Sequence, residues 1–101
     1  MGMNVFDATR KPLGYVQTAD LSTAVNLSPP ANARTAVVQA IGNDVSWRDD
    51  GTAAANTAAG TAGGMLLAAG DSFYYTGDLE KISLIEAVAA STAYANISYY
   101  R

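Results

Sequence analysis

The chain contains no cysteine and no histidine. Without cysteine there is no disulfide, no thiol nucleophile and no cysteine-ligated zinc. Without histidine the chain lacks the commonest general base near neutral pH and the commonest metal ligand. Positive charge is sparse as well. Six Lys and Arg stand against nine Asp and Glu, the net charge is −3, and the basic residues are scattered beyond Arg10-Lys11. A surface that tracks phosphates is therefore not expected, and no nucleic acid is read as a partner. No apolar run approaches the roughly 18 residues of a membrane span, so no membrane partner is read either. The opening Met1-Gly2-Met3-Asn4-Val5-Phe6 lacks a basic end followed by an apolar stretch, which is the pattern of a secretory signal. Synthesis in a cytoplasm is the expectation, and the Asn-x-Ser matches at Asn26 and Asn96 are then chance.

Large apolar side chains are also few. Half of the 101 residues are apolar, but much of that half is alanine. A chain of this size forms one domain, and its core is either thin or completed by assembly with other chains.

What is present reads as strands. Residues 1–12 are polar and unpatterned and are expected to form a flexible N-terminal arm, with a single domain over 13–101. Leu13 to Thr18 alternates around Tyr15. Asp20 to Ser28 alternates weakly and stops at Pro29-Pro30, which cannot sit in a central strand. Arg34 to Ile41 is β-branched and closes at Gly42-Asn43-Asp44; Val45 to Arg48 follows, so residues 41–48 predict a hairpin. Residues 52–64 carry no large side chain and predict a long exposed loop. Met65 to Ala69, Ser72 to Tyr75, Leu79 to Ala90 and Thr92 to Tyr100 supply further segments, separated by Gly-Asp turns. Leu79 to Ala90 also fits helical spacing, but it has no capping box and lies between strand signals, so strand is favoured. The sum predicts an all-β fold, a small β-sandwich or jelly-roll-like barrel of about seven or eight short antiparallel strands.

No candidate for chemistry survives. Asp44, Asp49 and Asp50 fail calcium-loop spacing because Val45, Ser46 and Trp47 interrupt it. Asp71 and Asp78 each follow a glycine and read as turn residues rather than paired catalytic carboxylates. The glycines at 60, 63 and 64 are not followed by Lys and a helix. An enzyme is not expected, nor a cofactor or a metal. The aromatic residues are the informative ones. On successive strand positions such as Tyr74-Tyr75 and Tyr99-Tyr100 one ring faces in and the other out. Outward Tyr, Trp and Arg anchor protein interfaces, which singles out Trp47, Arg48, Tyr75, Tyr99, Tyr100 and Arg101.

Several stretches carry a resemblance. They are residues 29–40, the Val45-Ser46-Trp47-Arg48-Asp49-Asp50-Gly51-Thr52 segment, residues 65–71, Tyr75-Thr76-Gly77-Asp78-Leu79 and the ending Ile97-Ser98-Tyr99-Tyr100. Together they resemble small virion proteins of tailed bacteriophages, in particular the β-sandwich proteins that decorate or cement capsids. The likeness spans about residues 13–101. It implies a role on the virion capsid surface, bound to the major capsid protein and to itself as a homotrimer where capsomers meet. It carries over no catalytic or metal residue. A head–tail or tail component, and a glycan-binding β-sandwich module, are the alternative readings.

Overall fold

A computed structural model describes residues 11–56 and 63–101. Eight strands run in chain order among these residues: β1 (Pro12–Gln17), β2 (Val25–Asn26), β3 (Thr35–Ile41), β4 (Val45–Arg48), β5 (Met65–Leu67), β6 (Ser72–Thr76), β7 (Ser83–Glu86) and β8 (Tyr94–Tyr100). One 3₁₀ turn, Leu79–Lys81, precedes β7. The strands form two four-stranded antiparallel sheets, ordered β1-β8-β3-β6 and β2-β7-β4-β5. The first strand pairs with the last, the second with the seventh, the third with the sixth and the fourth with the fifth. Such a nest of pairs is one long hairpin rolled up so that alternate pairs fall in opposite sheets. This is the jelly-roll form of the β-sandwich, and the all-β sandwich expected from the strand pattern is what the chain adopts.

Period-two alternation explains the two longest strands. In β3, Ala36, Val38 and Ala40 are fully buried while Val37, Gln39 and Ile41 are only half-buried. In β8, Ala95, Ile97 and Tyr99 join the core, and Tyr94, Asn96, Ser98 and Tyr100 take the other face. Small residues at Ala36, Ala40, Ala93 and Ala95 let larger side chains of the facing sheet fill the space, chiefly Val45, Leu67 and Leu84 with Leu21, Leu27, Leu79 and Ile82. Each fully buried Leu or Ile contributes about 1.5–3 kcal/mol relative to exposure, so the few large residues carry most of the core.

Four expectations from the sequence need correcting or narrowing. Residues 41–48 are not a hairpin, because β3 and β4 lie in different sheets. The Gly42-Asn43-Asp44 turn instead crosses between sheets, and its polar groups bind other turns. The Asn43 amide donates to the Ser91 and Thr92 carbonyls, and the Asp44 carboxylate accepts from the Ala69 N–H at 2.8 Å. Residues 52–64 are not simply exposed. Residues 57–62 lie outside the described residues, but Ala54 is 4% exposed, its N–H donates to Ser83 Oγ at 3.0 Å, and the Ala55 N–H donates to the Gly63 carbonyl at 2.9 Å. Of the expected arm, residues 1–10 lie outside the described residues, while Pro12 opens β1 opposite Tyr100 and the Lys11 carbonyl accepts from the Arg101 N–H at 2.9 Å. A proline is tolerated there because β1 is an edge strand. The segment from Leu79 to Ala90 does hold a strand, but only over Ser83–Glu86. Buried Glu86 then accepts the backbone N–H groups of Ala90 and Thr92, and both of those residues adopt left-handed φ of 62°.

Candidate functional site

Three aromatic residues converge at the side of the sandwich where the β5 and β6 edges meet. Trp47 comes from β4 of the second sheet, and Phe73 and Tyr75 come from β6 of the first. The Trp47 and Phe73 rings stack with centroids 4.3 Å apart at 25°, and Tyr75 stands edge-on to both at 6.5 Å. Each such ring pair is worth about 0.5–1.5 kcal/mol beyond its buried area, so the cluster ties the two sheets together.

Charged groups frame this seam. The Tyr75 hydroxyl donates to Asp49 Oδ2 at 2.9 Å, and that bond, with some burial, holds the phenol above its ordinary pKa. Arg48 Nε donates to Asp50 Oδ1 at 3.1 Å, and a second guanidinium nitrogen pairs with Oδ2. The Arg48 hydrogen bond, helped by the Thr52 N–H, lowers the Asp50 carboxyl to about 2. Beside the rings lies the β5 edge, where Met65 pairs in register with Trp47. Met65 and Leu66 are 49% and 53% exposed. Phe73, Met65 and Leu66 were not singled out by sequence, and Asp49 was weighed only as a calcium ligand and rejected. A run of apolar residues after a glycine pair was visible at Met65-Leu66, but nothing local placed it next to Trp47.

Of the six residues named from sequence, Trp47 and Tyr75 come together at this seam, whereas the Arg48 side chain lies on the other face of β4, where a Cβ on Gly64 would meet both it and Ser46. Tyr99 does not present itself to a partner, for it is 3% exposed and belongs to the core. Burial pushes its phenol up, partly offset by a hydrogen bond with the Ser28 backbone. Tyr100 is the outward member of that pair, and its hydroxyl oxygen accepts from Ser98 Oγ at 3.2 Å. Arg101 is exposed just beyond β8.

A second surface was not read from the sequence at all. None of the four strands of the first sheet contains a charged residue. Its outer face carries one cross-strand row of Tyr15, Ser98, Val37 and Tyr74 and another of Gln17, Asn96, Gln39 and Ser72. A shallow cavity of about 240 Å³ opens between them, lined by Tyr15, Val37, Gln39, Ser72, Asn96 and Ser98. Among the described residues no three His, Cys, Asp or Glu side chains gather as they would around a metal ion. Compared with known proteins, the chain matches no family model, no curated protein and no solved structure.

Proposed function

We propose that this chain is a structural virion protein that decorates or cements a bacteriophage capsid, bound to the major capsid protein and to itself as a homotrimer. The observation that carries this reading is the seam at the β5–β6 side. Stacked Trp47 and Phe73 are closed over by Tyr75 and Asp49, with Met65 exposed alongside. Trp, Tyr, Met and Arg are the residues enriched at protein contacts, and a packed aromatic anchor with a charged rim is the usual anatomy of a hot spot. The jelly roll is a fold that capsid domains use, and the resemblance of residues 13–101 to decoration proteins points the same way.

Co-sedimentation of the purified chain with empty capsids tests the reading. Wild type is expected to bind in many copies, and Met65→Asp, on the exposed edge opposite Trp47, is expected to lose binding while keeping its fold. Trp47→Phe is expected to weaken binding less, because it keeps a ring on Phe73. Wild type that fails to sediment with capsids, or Met65→Asp that binds as well as wild type, would overturn it.

A further inference from the structure

We propose that the outer face of the first sheet is a binding site for a neutral oligosaccharide. The face has the two elements such a ligand requires: rings for the apolar faces of its sugars, and fixed amides for its hydroxyls. Tyr15, 63% exposed, and Tyr74 stand at opposite ends of one cross-strand row. At a strand spacing of about 4.8 Å the three intervals separate them by roughly 14 Å, room for a short chain of sugars laid across the sheet.

The polar groups between them are held in place by one another. Asn96 Oδ1 accepts from the Tyr15 hydroxyl at 2.7 Å and from Gln17 Nε2 at 2.9 Å, while Asn96 Nδ2 donates to Gln39 Oε1 at 3.3 Å. This arrangement fixes the orientation of all three amides. It leaves the Gln39 amide nitrogen and the Gln17 amide oxygen without a partner among the described residues. A side-chain amide offers a donor and an acceptor in one plane, which matches neighbouring sugar hydroxyls that both donate and accept.

Charge and composition narrow the class of ligand. No Lys or Arg lies within these four strands; Lys11, Arg34 and Arg101 flank one end of the sheet, so the row of Gln17, Asn96, Gln39 and Ser72 offers an anion amides and hydroxyls rather than a charged partner, which disfavours acidic glycans and nucleic acid. A protein partner fits less well, since apart from tyrosine, which suits either ligand, the four strands hold none of the interface residues Trp, Met or Arg and are rich in Ser, Thr, Asn and Gln. The site is separate from the aromatic seam and does not rest on the virion role. Were many copies displayed on one particle, weak binding at each would still sum to firm attachment.

The test is a titration of the full-length, ¹⁵N-labelled chain with cellotetraose, maltotetraose, chitotetraose and a galactose-terminated oligosaccharide, with sialyllactose and heparin as charged probes. At least one neutral probe is expected to move the side-chain amide signals of Asn96, Gln39 and Gln17 and to leave the Trp47 indole signal in place. Tyr15→Ala, at an exposed ring, is expected to keep the fold and weaken that binding about tenfold, and Gln39→Ala should weaken it similarly. The proposal is overturned if no neutral probe moves these signals at millimolar concentration, or if only heparin or sialyllactose does. It is equally overturned if the shifts centre on Trp47, or if Tyr15→Ala binds as wild type.

Discussion

The outer faces of the two sheets are built on opposite plans. Strands β1, β8, β3 and β6 carry no charge, and their outer face stands open with tyrosines, amides and hydroxyls on it. Strands β2, β7, β4 and β5 include Arg48 and Glu86, yet on the outer side of their sheet the two central strands, β7 and β4, are largely buried, with Leu66 and Asn26 exposed at its edges. Ser46 and Ser83 are almost inaccessible, and Ile85, which alternates away from core residue Leu84, is buried as well. What approaches that side is the Ala/Gly-rich segment. The Ala54 N–H binds Ser83 Oγ, Ser46 Oγ donates to the Gly63 carbonyl at 3.4 Å, and Gly64 lies so close that a Cβ there would sit 2.7 Å from Ser46 Oγ and 2.8 Å from the Trp47 carbonyl. Small residues are used here for close approach of backbone to sheet. The lesson is that small residues in a stretch without large side chains, here Ala54 and Gly63, can still be buried against a sheet.

The largest effect that separates the faces comes from one lysine placed on each. Ile85→Lys should destabilise the fold by about 3–5 kcal/mol, since it buries an unpaired charge. Val37→Lys on the open face should cost less than about 1 kcal/mol, because the long stem carries its ammonium to solvent. Equal midpoint shifts in urea for the two variants would erase the contrast. Next comes Gly64→Ala, expected to cost about 2–3 kcal/mol through overpacking against Ser46 and Trp47, added to a φ of 144° that suits only glycine. A Gly64→Ala protein as stable as wild type would mean that the segment does not press on β4. Ser83→Ala should cost about 1–3 kcal/mol by leaving the Ala54 N–H buried without an acceptor, and faster amide exchange at Ala54 is the direct readout.

The smallest effect is electrostatic and lies at the rim of the seam. Asp50 titrates at about 2 because Arg48 and the Thr52 N–H favour its ionised form. Its folded value lies below its unfolded one, so the contribution to stability is fully present above the ordinary 3.8 and fades as pH falls through about 2. Arg48→Gln should return the Asp50 midpoint most of the way toward 3.8 in a carboxyl ¹³C titration, with little change in stability at neutral pH because the pair is exposed. An unmoved midpoint would show that Arg48 is not the cause.

Much of the fold was legible where alternation is strong, and less where turn chemistry is shared. The pattern of Arg34 to Ile41 and of Thr92 to Tyr100 announced two strands, and β3 and β8 are the longest with a clean inside and outside. The turn at Gly42-Asn43-Asp44 misled because the same residues suit a hairpin and a crossing between sheets. Only the partners of β3 and β4 decide between them, and those lie far along the chain, as Thr35 opposite Tyr100 shows. Trp47, Arg48 and Tyr75 were legible as anchors by type, but the gathering of Trp47 and Tyr75 with Phe73 required knowing that β4 faces β6 across the sandwich. The Tyr99-Tyr100 pair announced one ring in and one out; which was which depended on β3 lying beside β8 with Ala36 next to Tyr99. The uncharged face was written in four separate strands, and nothing local says that those four become one sheet.

Amide hydrogen exchange of the full chain, free and then bound to empty capsids, tests the central claim most directly. The seam account predicts added protection over Trp47 to Asp50 and Met65 to Leu67, with β1 and the outward positions of β8 exchanging as in the free chain. Protection confined to β1 and β8, or none anywhere on capsid addition, would contradict it.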